Sequence, residues 1–286
     1  MEIIILFVLG TIFGSFGSVL MTRLGKNTNI ENIKGIFRGR SQCPNCKHNL
    51  GANNLIPLVS FIAQKWKCQY CKKKISLIYP ILEITSGLVF VLTYFFINYL
   101  QIHSATILIF WIITNRLLLL LLVYDIQNYE LNLPIRTILT CFSIIFHAII
   151  GNQNILTIIF STFIFTLIFW LIYTFSKYYL KIKYQKKSEG LGIGDIYMAF
   201  GIGILLPLNI ANNGFGNDIV IIMKLLLIFV ILSCLIGIFY GVIEIIFKKK
   251  GNKENFIKSK IPFIPSMILA FRIILFFSTY LISFLS

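Results

Sequence analysis

Acidic residues are scarce in this chain of 286 residues, which contains 10 Asp plus Glu against 26 Lys plus Arg. The resulting net charge of +16 suggests a nucleic-acid partner, but the basic residues stand in a few runs between long apolar stretches. Polar sequence is scarce as well: 57% of the residues are hydrophobic, whereas a soluble domain is ~45–50% apolar. These shortages argue against a soluble domain and favour a membrane protein whose charges need no nucleic acid.

The first twenty residues lack the features of a cleaved signal peptide. They have no basic n-region and no A-x-A cleavage site, and Glu2 stands where Lys or Arg is expected. We therefore interpret this segment as a retained first span. A transmembrane helix needs roughly 20 mostly apolar residues, which predicts an all-α, polytopic fold with about eight transmembrane helices. The predicted spans are 3–22, 80–100, 105–124, 135–150, 154–175, 194–210, 219–247 and 262–285.

The basic residues define an orientation in the bilayer. Every second loop between the predicted spans is basic, and these loops together hold 23 of the 26 Lys and Arg residues. Basic loops lie on the cytoplasmic side of a membrane, so we expect both termini to lie outside. The loop 23–79 is the only segment outside the spans that is large enough to fold, and a core of that size needs a staple.

Four of the six cysteines lie in that loop as two CxxC pairs, which is close to the usual tetrathiolate zinc spacing. The predicted ligands are Cys43, Cys46, Cys68 and Cys71. A closed site of four thiolates has no open position, so we expect structural rather than catalytic Zn²⁺. A redox pair is the alternative. His48 is expected to be a surface residue, and Cys141 and Cys234, within apolar spans, are expected to pack.

Acidic residues within or beside a span are functional candidates, because a buried carboxylate is costly there. Asp125 ends the third predicted span, and Asp195 opens the sixth within Gly192-Ile-Gly-Asp. The orientation puts both at the cytoplasmic boundary. Two opposed carboxylates should share one proton, so that one activates water while the other polarises a peptide carbonyl. The alternative is that both merely cap helices.

Several motifs in order resemble the type IV prepilin peptidases, which combine a leader peptidase with an N-methyltransferase. The matching segments are Gly14-Ser-Phe with Arg23-Leu24, Arg40-Ser-Gln-Cys-Pro-Asn-Cys, Leu55-Ile-Pro-Leu, Tyr79-Pro-Ile-Leu-Glu83, the Gly-x-Gly-Asp at 192–195 and Pro262-Phe-Ile-Pro265. The resemblance covers essentially the whole chain. Two departures from the family pattern stand out: Pro134 is displaced relative to Asp125, and Tyr197 replaces a Lys or Arg that often follows the second Asp.

The resemblance implies an activity, partners and an organisation. The catalytic pair would be Asp125 and Asp195, which would cut the basic leader of a prepilin or pseudopilin precursor at the cytoplasmic face of the bacterial inner membrane. S-adenosylmethionine would then serve to methylate the new N-terminus. The implied division is a first helix (1–22), a zinc-binding loop domain (23–79) and a peptidase core (80–286). Glu83 and Glu189 could orient the leader or be ordinary interfacial acids.

Three other interpretations remain open at the level of sequence. A cation- or proton-coupled transporter would place polar residues at mid-bilayer depth and contain repeats, but here the acids cluster at one face. A membrane anchor that presents a zinc module leaves Gly192-Ile-Gly-Asp unexplained. A signal-peptide or preflagellin peptidase on the same scaffold is the nearest rival, and the cysteine loop argues against the latter.

Overall fold

The structure, a computed structural model, describes residues 1–24, 40–99, 105–150, 155–184, 191–211, 219–248, 262–277 and 280–281. Within these residues the backbone is helical except for short connections and two isolated antiparallel bridges, which confirms the all-α prediction. The α-helices of this part are α1 (Glu2–Leu24), α2 (Val59–Ala63), α3 (Ile78–Tyr99), α4 (Ala105–Asn128), α5 (Leu133–Ile150), α6 (Ile155–Tyr184), α7 (Ile193–Ala211), α8 (Ile219–Lys248) and α9 (Ile264–Phe276).

Each of the eight predicted spans overlaps one helix of the described chain, although the last, predicted over 262–285, is described as a helix only over Ile264–Phe276. Five helices of the described chain (α1, α3, α4, α6 and α8) are long and apolar enough to cross a membrane, and three shorter apolar helices accompany them (α5, α7 and α9). One boundary differs in a way that matters: α4 continues to Asn128, four residues beyond the predicted end. Asp125 is therefore inside the last turn of a helix rather than after it.

The chain divides into two compact units, unit 1 (Met1–Leu120) and unit 2 (Leu121–Ser286). The boundary falls within α4, and the two predicted catalytic aspartates belong to unit 2. The division predicted from sequence, with a separate loop domain over 23–79, stays a prediction.

Close contact between α1 and α3 organises unit 1. A Cβ atom at Gly10 would lie 2.7 Å from the Cα of Gly87, and one at Gly14 would lie 2.6 Å from the Cα of Glu83. Only glycine fits such distances, so the two backbones approach as in membrane helix pairs whose interfaces consist of small residues. The Gly14-Ser-Phe motif is thus held against Leu82 and Glu83, which belong to the Tyr79-Pro-Ile-Leu-Glu83 motif.

A buried arginine completes this part of unit 1. Arg116 of α4 is 7% exposed, and its guanidinium donates hydrogen bonds to the hydroxyl of Ser86 and to the backbone carbonyl oxygens of Phe13 and Gly14. Side chains at position 17 would collide with it, because a Cβ at Gly17 would meet the guanidinium. The cation is therefore enclosed by three helices and bound to neutral acceptors.

In unit 2, α6 and α7 pack closely around a proline. Pro207 lies inside α7 and has no N–H to donate to the carbonyl of Gly203 four residues earlier. The hydroxyl of Ser161 in α6 donates to that carbonyl instead, at 3.0 Å. A Cβ at Gly203 would be 2.7 Å from the Cα of Thr162, so glycine allows the approach that makes this replacement hydrogen bond possible.

Candidate active site and metal centre

Asp125 occupies the last turn of α4. It is 4% exposed, and its backbone oxygen accepts a 2.8 Å hydrogen bond from the N–H of Tyr129. Tyr129 has a φ of 56°, the left-handed conformation that commonly ends a helix after such a bond. The Asp125 carboxylate accepts a hydrogen bond from the backbone N–H of Ile264, the first residue of α9. Its Oδ2 atom is buried and has no hydrogen-bond partner in the described chain.

Asp195 lies in the first turn of α7 and is 6% exposed. Its Oδ2 accepts a 2.9 Å hydrogen bond from the backbone N–H of Gly192, and its own N–H donates to the Gly192 carbonyl at 3.1 Å. A side chain at the third helical position that binds the N-cap N–H in this way is one half of a capping box. Asp195 therefore does cap its helix, as the alternative interpretation held for both aspartates, and this hydrogen bond fixes one of its carboxylate oxygens.

The two aspartates lie close enough to interact electrostatically. The end of α4 and the starts of α7 and α9 meet around them: a Cβ at Gly194 would lie 3.0 Å from the Cβ of Leu131 and 3.9 Å from the side chain of Ile264. Two buried carboxylates that interact in this way cannot both ionise at low cost, so such a pair retains one proton. Sequence reasoning did not identify Ile264 as a partner of Asp125. The sequence feature that indicates a helix start at Ile264 is Pro265, because proline is favoured in the first turn of a helix.

Both departures from the family pattern have a local explanation. Asn132 is buried and caps α5, since its side-chain oxygen accepts a 3.1 Å hydrogen bond from the N–H of Ile135. Pro134 lies in the first turn of that helix, where a missing N–H costs nothing. The guanidinium of Arg136 lies 5.3 Å from the ring centroid of Tyr197 and donates to the Tyr197 carbonyl at 3.2 Å. A cation therefore stands beside position 197 although Tyr197 itself is neutral.

The four cysteines of the loop converge in unit 1. Their sulfur atoms all lie within 4.8 Å of one another, and those of Cys43 and Cys71 are 3.9 Å apart. Four sulfurs bound at ~2.3 Å in a tetrahedron would be roughly 3.8 Å apart, so the cluster has the dimensions to hold Zn²⁺. The redox alternative would pair sulfurs two by two, whereas here all four are neighbours.

The two CxxC turns have the same backbone pattern. In each, the first cysteine accepts a 2.9 Å bond from the residue after the second cysteine, Lys47 or Lys72. These lysines have φ values of 58° and 59°, and an isolated bridge closes each turn, Gln42 with Asn49 and Lys67 with Lys74. Hydrogen bonds, chiefly from the backbone N–H of Cys46, lower the pKa of the Cys43 thiol to about 6. The pKa of the Cys71 thiol beside it is raised to about 11, because interacting thiols lose their protons one after another.

The remaining candidates fall outside both clusters. His48 is exposed and its ring stacks on Tyr70, with centroids 3.6 Å apart, as expected for a surface residue. The expectation that Cys141 and Cys234 pack is wrong: both are exposed on their helices, which suits a thiol facing lipid. Glu189 lies outside the described residues.

Glu83 is a buried residue of unit 1 rather than an exposed interfacial acid. It is 7% exposed, and its carboxylate accepts a 2.8 Å hydrogen bond from the backbone N–H of Leu58 and one from the side chain of Ser15. It thus connects three motif segments, on α1, before α2 and on α3. This arrangement explains why an acid is needed here without any substrate.

Two known families match consecutive parts of the chain, and the boundary between the matches lies near the boundary between unit 1 and unit 2. Residues 8–97 match the bacterial peptidase A24 N-terminal domain, and residues 112–242 match the type IV leader peptidase family. No solved structure matches the chain.

Curated relatives match parts of the chain. A protein of Myxococcus xanthus named prepilin leader peptidase/N-methyltransferase is 39% identical over 87 residues, which are 30% of this chain and 24% of the relative. A protein of the same name from Bacillus subtilis is 34% identical over 131 residues, 41% of this chain and 50% of the relative. The matched stretches thus span at most half the length of these relatives. Taken together, the two family matches and these relatives show that the chain belongs to the type IV prepilin peptidase family.

Proposed function

We propose that the chain is a prepilin leader peptidase of the aspartic type, with Asp125 and Asp195 as its catalytic pair. The observation that carries the proposal is the pair itself: two buried, interacting carboxylates at adjoining helix ends, one of which has an oxygen without a hydrogen-bond partner among the described residues. Family membership and the names of the relatives favour this activity over the transporter and the anchor.

The chemistry follows from the shared proton. The ionised carboxylate takes a proton from a water molecule, whose oxygen attacks the peptide carbonyl, while the protonated carboxyl donates to the carbonyl oxygen. The tetrahedral intermediate then collapses, the C–N bond breaks, and a proton returns to the leaving amine. Backbone N–H groups of Gly192 and Ile264 each hold one carboxylate, so the pair is positioned before substrate arrives. Gly192 and Gly194 leave room for an extended substrate backbone.

Single amide substitutions test the pair. Asp125→Asn and Asp195→Asn should each reduce cleavage of a prepilin precursor at least ~100-fold, because one positioned acid–base group contributes ~10²–10⁴-fold. The measurement is mass spectrometry of the precursor incubated with purified enzyme in detergent or lipid.

The matched control is Glu130→Gln, which neutralises an exposed acid five residues from Asp125 and should leave cleavage unchanged. Near-normal cleavage by either aspartate variant, inserted and folded like the parent, would refute the assignment.

We also propose that Cys43, Cys46, Cys68 and Cys71 hold one structural Zn²⁺, a role supported by the spacing of their sulfurs. Purified protein should contain about one zinc per chain, and the Cys43→Ser/Cys68→Ser variant should lose it. The Cys141→Ser/Cys234→Ser variant is the control, since it removes the two thiols outside the cluster. Metal analysis that finds no zinc in protein purified under reducing conditions would contradict the proposal.

Two further parts of the proposed function rest on the relatives and on the loop charges. The relatives' names support N-methylation of the cleaved product, for which S-adenosylmethionine would supply the methyl group. The basic loops support insertion in the bacterial inner membrane with the aspartates toward the cytoplasm. Reporter cysteines provide a test: Ser188→Cys should resist an impermeant thiol reagent in intact cells, whereas Asn213→Cys should react.

A further inference from the structure

A small apolar face stands out on the metal-holding segment of unit 1. Val59, Ile62 and Trp66 are 60%, 68% and 62% exposed. The first two share one side of α2, and Trp66 lies in the turn that follows the helix end at Ala63. We call these three residues the α2 face. An apolar cluster of this kind on a water-exposed module has to be explained by what covers it.

The backbone is strained where it displays the tryptophan. Lys65 and Trp66 have φ values of 50° and 64°, and two successive non-glycine residues in this left-handed region cost free energy. The strained turn leaves the Trp66 ring at the surface, where it stacks on Phe61 with centroids 6.4 Å apart. The outward position of Trp66 is therefore held at a cost in backbone free energy.

The surroundings of the α2 face carry charge of one sign. Residues 40–77 contain seven Lys and Arg and no Asp or Glu. Lys65 and Lys67 flank Trp66 and, with Lys72, line a cavity of about 560 Å³ whose other walls include Gln64 and Gln69. Lysine side chains at the rim of an open cavity suit phosphate oxygens.

A hydrogen bond limits the distance between Trp66 and α3, the long helix that follows the cysteine-containing segment. The Trp66 carbonyl accepts a 2.9 Å hydrogen bond from the N–H of Ile75, and Ile78, three residues later, begins both α3 and its membrane-length segment. Three residues of extended chain reach about 11 Å at most. With the length of the hydrogen bond added, the backbone of Trp66 is therefore within roughly 15 Å of the first residue of the membrane-length segment of α3.

We propose that the α2 face, with Lys65, Lys67 and Lys72, docks on the surface of an anionic lipid bilayer. Trp66 and the two aliphatic side chains enter the interfacial layer, where tryptophan is enriched, and the lysines bind lipid phosphates. Charge complementarity selects this occupant: a basic leader peptide would be repelled by a surface without a single acid. The docking does not depend on the proposed peptidase activity, because no catalytic residue takes part in it.

The fluorescence of Trp66 reports whether this residue enters the bilayer surface in the full-length protein. The chain is placed in lipid nanodiscs of phosphatidylcholine alone, or of phosphatidylcholine with phosphatidylglycerol. The Trp66 signal is the difference between the parent and Trp66→Phe, which keeps an aromatic ring at an exposed site. In anionic discs, acrylamide should quench this signal at least ~3-fold less than in neutral discs, and lipids brominated near the headgroup should quench it.

The two CxxC turns supply a matched pair of charge variants. Lys65→Gln/Lys67→Gln/Lys72→Gln should restore acrylamide access in anionic discs. Lys47→Gln should not, although Lys47 occupies the position in the first turn that Lys72 occupies in the second. Zinc content confirms that each variant keeps its module.

Three results would overturn the proposal. One is a Trp66 signal open to acrylamide in both discs, and another is equal protection in both, since the lysines would then contribute nothing. The third is protection in anionic discs without quenching by brominated lipid, which would mean that protein rather than lipid covers the face.

Discussion

Unit 1 buries Arg116 and Glu83, unit 2 buries Asp125 and Asp195, and the surroundings of these ionisable groups differ. The guanidinium of Arg116 is bound to a hydroxyl and to carbonyl oxygens of α1, and the nearby Glu83 carboxylate is bound to Leu58 and Ser15. Asp125, in contrast, has a buried oxygen with no hydrogen-bond partner in the part of the chain that the structure describes, and it lies beside a second carboxylate.

The comparison separates charges that hold the fold from charges that are available for chemistry. A buried ionic group is tolerated when hydrogen bonds replace its water, and the groups of unit 1 meet that condition. The dyad of unit 2 meets it only in part, which is a cost to stability that active sites commonly carry. Loss of Arg116 should therefore act on folding, and loss of the aspartates on cleavage.

The largest effect that sharpens this contrast concerns the double variant. Asp125→Asn/Asp195→Asn should cleave no more slowly than either single variant, because residues that act as a unit are strongly non-additive. Its thermal midpoint should equal or exceed that of the parent, since one pair of like groups is removed. Kinetics over long incubations, with a calorimetric or fluorescence melt, measure both. A further ~100-fold loss in the double variant would show that the carboxylates act independently.

A smaller effect is expected for the buried cation. Arg116→Lys keeps the charge but loses the planar fork that reaches three acceptors, at a cost of ~1.5–3 kcal/mol. The thermal midpoint should fall by about 5 °C, while cleavage per folded molecule stays within twofold. Exposed Arg40→Lys is the control and should melt like the parent. Selective loss of cleavage without loss of stability would break the comparison by giving unit 1 a direct part in the reaction.

The smallest effect tests whether polar contacts within unit 2 are also structural. Ser161→Ala leaves the Gly203 carbonyl without a donor and should cost ~1–3 kcal/mol. Pro207→Ala restores a backbone N–H to that carbonyl, so the same serine substitution should cost less in this background. A double-mutant cycle of thermal midpoints measures the coupling. An unchanged cost would show that Ser161 stabilises the helix pair in another way.

Long apolar runs are the part of this fold that sequence predicts well. A bilayer favours long segments without charge, and each of the eight predicted segments overlaps a helix of the described chain, five of them long enough to cross a membrane. The cysteine spacing likewise predicted which four sulfurs would meet, because two tight turns present their thiolates to one point. The end of α4 was predicted too early, since hydropathy falls at Asp125 although the helical hydrogen bonds continue to Tyr129.

Contacts between distant backbone groups and side chains could not be predicted in the same way. The N–H of Ile264 that binds Asp125 belongs to a helix more than a hundred residues away. The sequence does not show which backbone N–H will meet the carboxylate, because nearly every residue has one. The stacking of Arg136 on Tyr197 required knowing that α5 and α7 are neighbours. The structural role of Glu83 was likewise not visible in the sequence, because an acid on an apolar helix looks interfacial until its partner at Leu58 is known.

The contact between α1 and α3 joins segments that are roughly fifty residues apart in the chain, from Leu24 to Ile78. Closing a flexible loop of that size costs about 3.5 kcal/mol of entropy, and halving its effective length recovers only ~0.6 kcal/mol. A metal that draws the cysteines together shortens the loop by about that factor, so it contributes little to the meeting of the two helices. The glycine-lined helix pair should therefore persist in metal-free protein. Only the cysteine-containing segment should unfold locally, on either side of the hydrogen bond from the Leu58 N–H to the Glu83 carboxylate.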